Sequence, residues 1–302
     1  MFIIAPLQPI LSIQNISKSY GPVRALNGVS FDVPESSVFG ILGPNGSGKT
    51  TMLGIILDVL VAAGGTYSWF GGIPHAEARR RIGSLLETPN FYHYLSGYDN
   101  LKINATIRQL KEDDRDRVLK QVGLLERKHS KFQTYSLGMK QRLAIGAALL
   151  GQPKVLVLDE PTNGLDPAGI AEIRDLIRTL HRQGITIIIA SHLLDEVEKV
   201  CTHVAILKRG DLLVHGPVNE ALRNEDVIEV RATDMHALEE ALKQMAGISS
   251  TKISEGTLLL ACEQGTGPVQ VNEYCISKGI VLSHLLLKKK SLETKFMELT
   301  NN

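Results

Sequence analysis

Hydrophobic and polar positions change rhythm several times along the chain. Residues 11–20 and 29–33 read as two antiparallel strands, and residues 37–42 as a short apolar strand. Residues 155–158 and 185–189 are nearly continuous apolar runs, the pattern of strands buried on both faces. Between residues 101 and 150 the spacing turns helical and charge becomes dense, and the run 111–117 reads as a solvated helical face. Residues 204–207 and 212–215 then flank Arg209-Gly210-Asp211 as a hairpin.

Beyond Pro217 the units shorten. Strands at 227–231, 248–253, 257–262 and 280–287 alternate with helices at 235–245 and 268–278, in the order β-α-β-β-α-β. That order predicts a small α+β module of the ferredoxin-like type. A last helix over 291–299 would carry Leu292, Phe296 and Leu299 on one stripe. The expected division is therefore a larger domain over 1–216, with a helical subdomain at about 90–150, and a smaller one over 217–302. No internal repeat or low-complexity linker interrupts either.

Composition narrows the class. A chain of 302 residues with 43% hydrophobic content can bury a large core in one or two domains. Its 33 basic and 32 acidic residues leave a net charge of +1, so no global field favours nucleic acid or an anionic membrane surface. Three cysteines without a C-x-x-C pair argue against a disulfide framework and a zinc site, and suit a reducing cytosol. The first ten residues are apolar but lack a basic start and contain two prolines, which reads as an extension and not a signal peptide. No apolar run approaches the ~20 residues of a membrane-spanning helix. A membrane role would need another chain to do the spanning.

The densest chemistry lies in Gly43-Pro44-Asn45-Gly46-Ser47-Gly48-Lys49-Thr50, which satisfies G-x-x-x-x-G-K-[ST] between an apolar strand and a helix beginning near Thr51. Glycine at 43, 46 and 48 lets the backbone bend and aim N–H groups at phosphate oxygens, at the positive end of the helix. Lys49 supplies a cation for the β- and γ-phosphates, and the Thr50 hydroxyl a ligand for Mg²⁺. Kinases, GTPases and ATPases share such a loop, so the second acidic site decides between them. It is Asp159-Glu160, delivered to the carboxyl end of the apolar strand 155–158. Asp159 there can hold Mg²⁺, or a water in its shell, and Glu160 can orient or deprotonate the water that attacks the γ-phosphate.

With these motifs in this order, residues 11–215 resemble the ATP-binding subunit of an ABC transporter, an α/β fold of the P-loop NTPase class with a mixed sheet, a helical signature subdomain and an antiparallel β subdomain. Tyr135-Ser136-Leu137-Gly138-Met139-Lys140-Gln141-Arg142 is similar to the family signature, which normally begins Leu-Ser-Gly-Gly-Gln; Ser136 and Gly138 keep the pattern, while Tyr135, Leu137 and Met139 depart from it. The resemblance implies that Ser136 and Gly138 meet the γ-phosphate bound by a second copy of the chain, and that Asp166, in Asn163-Gly164-Leu165-Asp166-Pro167, reaches across the same interface. It implies a γ-phosphate switch at His192, adenine stacking on Tyr20, and nucleotide contacts from Asn45, Ser47 and Thr51 beside the glycines and Lys49.

One position departs from the family with consequences. Glu87 stands where most relatives carry a glutamine that contacts the metal and links nucleotide state to the membrane partner. A carboxylate can still ligate Mg²⁺, but it donates no hydrogen bond and adds negative charge near the phosphates. Glu87, the Phe91-Tyr92 pair, the stretch from Leu95 to Leu101 and the appended small domain together resemble the bacitracin-export, lantibiotic-immunity and multidrug-export branch. The resemblance implies ATP and Mg²⁺ as cofactors, a two-copy ATP sandwich, separate permease subunits that place the protein on the inner face of the cell membrane, export as the direction, and no nucleic-acid partner. Three rivals remain at this point: a non-transport ABC ATPase acting on ribosome or nucleic acid, a P-loop kinase of small molecules, and a regulator that holds nucleotide without turnover. Residues 217–302 carry no catalytic cluster.

Overall fold

The computed structural model describes residues 9–86, 90–110, 113–218, 227–254, 256–263 and 265–288. The chain falls into two units that part after Val218.

In the first unit, β1 (Pro9–Tyr20) pairs antiparallel with β2 (Val23–Pro34) on one side and β4 (Gly64–Trp69) on the other. Leu11, Ile13 and Ile16 of β1 meet Leu26, Val29, Phe31 and Val33 of β2 in a common core. The second strand is longer than residues 29–33. Its first half contains Arg24 and Asn27 and shows no apolar alternation, yet it is held by backbone pairing such as Tyr20↔Val23 and Lys18↔Leu26, which needs no hydrophobic pattern.

A six-stranded sheet follows, in the order β5 (Ile82–Leu85), β6 (Val155–Asp159), β7 (Thr186–Ser191), β3 (Val38–Leu42), β8 (His203–Lys208), β9 (Asp211–Pro217). The first five are parallel, and β9 returns antiparallel at the edge. Every residue of β3, β6 and β7 is buried, which is why their sequences read as nearly continuous apolar runs. Chemistry attached to β3, β6 and β7 therefore collects at their shared carboxyl ends. β5 has only four residues and no pattern of its own; it is a strand because β6 pairs with it.

α1 (Lys49–Ile56) follows β3, and α2 (His75–Arg80) precedes β5. The helical portion holds α3 (Gly97–Ile107), α4 (Arg115–Gln121) and α5 (Leu137–Leu149), with short 3₁₀ turns at Leu125–Arg127 and Phe132–Thr134. α6 (Pro167–Arg182) buries Ile173, Leu176, Ile177 and Leu180, a stripe at helical spacing, and α7 (Leu194–Glu198) follows β7. The charge run at 111–117 is not simply a solvated helical face. Lys111 and Glu112 lie outside the described residues, and Asp114 is 11% exposed, pairing with Arg117 and accepting from the Gly151 N–H at 3.1 Å. Arg117 also donates to the Leu149 carbonyl at 3.2 Å. Charge there ties α4 to the end of α5.

The second unit runs β10 (Val227–Ala232), α8 (Met235–Lys243), β11 (Ile248–Ser254), β12 (Thr257–Cys262), α9 (Pro268–Ser277) and β13 (Leu282–Lys288). Its sheet is antiparallel in the order β11-β12-β10-β13, the ferredoxin-like arrangement. Ile228, Val230, Leu258 and Leu260 pack with Leu238 and Leu242 of α8 and with Val271 and Cys275 of α9. The helix expected over 291–299 lies outside the described residues.

Candidate active site

Six residues, 43–48, connect β3 to α1. Gly43 has φ 153° and Gly48 φ 106°. A Cβ at Gly43 would lie 2.2 Å from the Leu207 carbonyl oxygen, and one at Gly48 2.4 Å from the Ala25 carbonyl oxygen. The loop is thus wedged between the end of β8 and the middle of β2, and only glycine fits at both walls. At Gly46, by contrast, an added Cβ would meet nothing within 4 Å, and Asn45 and Gly46 are exposed. That open side is where phosphates can approach the backbone. Ser47 is buried, and its hydroxyl oxygen makes no hydrogen bond among the described residues. Replacing Gly48 by alanine is expected to cost at least about 2 kcal/mol, from unfavourable φ and backbone overlap together. A lowered melting temperature with weakened nucleotide binding would bear this out, and an unchanged melting curve would refute it.

The helix then places Lys49 and Thr50 toward the carboxyl ends of the sheet. Lys49 is 6% exposed and donates to the carbonyls of Gly43 at 2.8 Å and Pro44 at 3.3 Å. Its Nζ also lies 3.4 Å from Glu160 Oε1. The Thr50 hydroxyl donates to Asp159 Oδ2 at 3.0 Å, bringing two of the three expected Mg²⁺ ligands together as a pair of hard oxygens. Among the described residues no group of three or more His, Cys, Asp or Glu gathers as a metal cage.

β6 ends at Asp159, and Glu160 turns out of the strand with φ 46°. A left-handed conformation at a non-glycine residue costs of order 1–3 kcal/mol and persists only where surroundings impose it. Here the Glu160 N–H donates to the Ala190 carbonyl at 2.9 Å, and the turn directs the carboxylate to the residue just beyond β7. That residue is His192, whose Nδ1 lies 2.9 Å and whose backbone N lies 3.4 Å from Glu160 Oε2. Lys49, Glu160 and His192 thus form one connected row beside the Thr50–Asp159 pair.

Tyr20 ends β1 with 48% of its surface exposed, and the Lys18 ammonium is 5.4 Å from its ring centroid. Thr51 is half-buried in α1. Ser136, Gly138 and Asp166 form a second cluster of their own. Ser136 caps α5, accepting from the Met139 N–H at 3.3 Å, and Asp166 caps α6, accepting from the Gly169 N–H at 2.9 Å. The two helix starts adjoin, since a Cβ at Gly138 would lie 4.0 Å from the Gly169 Cα. Leu137, on the same rim, is 51% exposed. The departure at Tyr135 has a packing reason: its ring is buried, its hydroxyl donates to the Arg127 carbonyl at 2.8 Å, and burial raises the phenol above its ordinary pKa. Glu87 lies outside the described residues.

One contact that shapes this site, and one buried side chain in the helical portion, have no role assigned from the sequence. The Gly210 N–H donates to the Ser47 carbonyl at 3.1 Å, so the turn between β8 and β9 backs the phosphate loop. Asn100, fully buried, accepts from the Tyr92 N–H at 2.8 Å and donates to the carbonyls of Tyr92 at 3.1 Å and Ser96 at 2.9 Å, pinning the segment that leads into α3. In the sequence Gly210 reads only as the glycine of a hairpin turn, and Asn100 only as one residue of the stretch 95–101.

The ABC transporter family model matches residues 26–163. An uncharacterized ABC transporter ATP-binding protein of Bacillus subtilis (strain 168), YdbJ, is 36% identical across 97% of this chain and 96% of its own length. The bacitracin transport ATP-binding protein BcrA of Enterococcus faecalis is 33% identical across 97% of both. Among solved structures, the ADP conformation of MJ1267, an ATP-binding cassette of an ABC transporter, superposes with a TM-score of 0.64 at 26% identity, over 72% of this chain and 96% of that one.

Proposed function

The chain belongs to the ABC transporter ATP-binding family as a subunit that binds and hydrolyses ATP to power transport, and from that premise we propose that two copies close around ATP to drive export through separate permease subunits. The observation that carries the reading is the row Lys49–Glu160–His192 beside the Thr50–Asp159 pair. It sits where a triphosphate on the loop 43–48 would present its γ-phosphate.

Each residue then has a task. The loop N–H groups and the start of α1 receive the phosphate oxygens. Lys49 exchanges its carbonyl contacts and Glu160 for the β- and γ-phosphates, which frees the Glu160 carboxylate. Glu160 orients the attacking water and takes its proton, while His192 keeps that carboxylate aligned and contacts the γ-phosphate. Asn45, Gly46, Ser47 and Thr51 complete the cradle, and Tyr20 offers a face on which adenine stacks. Mg²⁺ fits the Thr50 and Asp159 oxygens and, when bound, would neutralise charge building on the β- and γ-phosphate oxygens. Glu87 is assigned on sequence alone, as a group that tunes or couples turnover without replacing Glu160.

The second cluster gives a reason for two copies. Ser136 and Gly138 at the start of α5 form an anion-receiving helix end, and in a head-to-tail pair they would complete the partner's γ-phosphate site, with Asp166 reaching across. ABC ATP-binding subunits act with membrane permeases, and among the described residues no helix is long and apolar enough to cross a membrane. We place the working protein on the cytoplasmic face, docked on its permease. Export as the direction rests on the resemblance to the bacitracin-export branch; the bacitracin transport ATP-binding relative matches over 97% of this chain. The test is association: with ATP and Mg²⁺, the Glu160→Gln protein should elute from size exclusion at twice the mass of one chain and return to one mass without nucleotide. A persistent monomer would overturn the sandwich.

A further inference from the structure

We propose that Asn27 and Asp211 form a latch that holds the phosphate loop in its anion-receiving shape from behind, which makes Asn27 a positioning residue for nucleotide binding. The latch joins two different sheets, since Asn27 lies on β2 of the three-stranded sheet and Asp211 opens β9 of the six-stranded one. The Asn27 side-chain amide donates to Asp211 Oδ1 at 3.0 Å and to the Arg209 carbonyl at 3.3 Å. Its backbone N–H donates to the Gly210 carbonyl at 2.9 Å. One asparagine therefore grips all three residues of the Arg209-Gly210-Asp211 turn.

That turn is what the phosphate loop leans on. The Gly210 N–H donates to the Ser47 carbonyl at 3.1 Å, the Leu207 carbonyl oxygen closes off Gly43, and the Ala25 carbonyl oxygen, two residues before Asn27, closes off both Gly48 and Gly210. Arg209 also sits at φ 49° in this turn, and a non-glycine residue at positive φ needs support from its surroundings. Without the latch, β2 and the turn can part. The Ser47 carbonyl then loses its donor, and the loop N–H groups lose the fixed orientation in which they converge on phosphate.

This rests on residues 43–50 holding the phosphates, and the experiment separates the two claims. Dissociation constants are measured by calorimetry for Mg²⁺-ATP and Mg²⁺-tripolyphosphate, the latter lacking a base and so blind to Tyr20. Asn27→Asp, which sets two carboxylates against each other, should weaken both ligands by the same factor, about tenfold or more. Asp211→Asn keeps an oxygen acceptor and should bind both within about threefold of wild type. Combining Asn27→Asp with Asp211→Asn restores a donor–acceptor pair between the two side chains in the reverse sense, though not the bond to the Arg209 carbonyl, and should recover part of the lost affinity, which a merely destabilising change at 27 would not. If Asn27→Asp does not fold, Asp211→Ala at the exposed end must show the same parallel loss. The latch is overturned if Asn27→Asp binds both ligands normally while Lys49→Ala does not, or if ATP alone is weakened, which would place the effect at the base. If Lys49→Ala also binds like wild type, the loop assignment falls with it.

Discussion

In the Glu160→Gln protein, steady-state ATP turnover falls by about 10² to 10⁴-fold while ATP affinity stays close to wild type. That is the range associated with loss of a positioned general base. Glutamine keeps the volume and can still accept at its carbonyl oxygen, but it cannot take the proton of the attacking water. Binding survives because phosphate recognition rests on the loop backbone and Lys49, and losing the 3.4 Å contact with Glu160 removes a competitor for the Lys49 ammonium. Glu87→Gln provides the contrast. If Glu87 tunes or couples turnover, as proposed, its variant remains within about tenfold of wild type. Phosphate release under saturating ATP measures both, and comparable losses in the two proteins would put the base at 87.

In the Lys49→Ala protein the loss lies in binding itself. Lys49 is the buried cation of the site, and its removal leaves the β- and γ-phosphates without their closest positive charge while the Glu160 carboxylate remains beside them. Charge-assisted hydrogen bonds of this kind contribute about 1.5–3 kcal/mol each, so a loss of two such bonds to phosphate predicts an affinity weaker by about a hundredfold or more. The readout is thermal. At about 100 times the wild-type Kd, Mg²⁺-ATP adds ~2.7 kcal/mol of stability to a protein that binds only in the folded state. Wild type should show that upward shift in melting temperature, and Lys49→Ala should show almost none. Equal shifts in the two proteins would remove Lys49 from the site.

The chemistry of the site was legible because it is local. The loop from Gly43 to Thr50 and the Asp159-Glu160 pair each read from a few consecutive residues, since backbone bending and strand ends are set by near neighbours, whereas Asp166 is named only through the resemblance and its capping of α6 comes from the structure. The buried strands declared themselves through nearly continuous apolar runs, and the second unit through its order of elements. By contrast, the early half of β2 and all of β5 exist through pairing with β1 and β6, and a partner strand leaves no mark on the sequence that receives it. Asp114 misled for a similar reason: a carboxylate in a charge run gives no sign that the Gly151 N–H will reach it.

The sequence by itself determined which atoms are present for phosphate chemistry and which short segments carry them, because glycine conformations, apolar runs and capping residues act over a few bonds. Only the tertiary structure decided that Glu160 turns left-handed toward His192, that Thr50 meets Asp159, and that Ala25, Leu207 and Gly210 wall in the phosphate loop. These contacts join residues from 23 to 164 positions apart. They depend on the sheet order that sets β6, β7, β3 and β8 side by side, and no local propensity encodes that order.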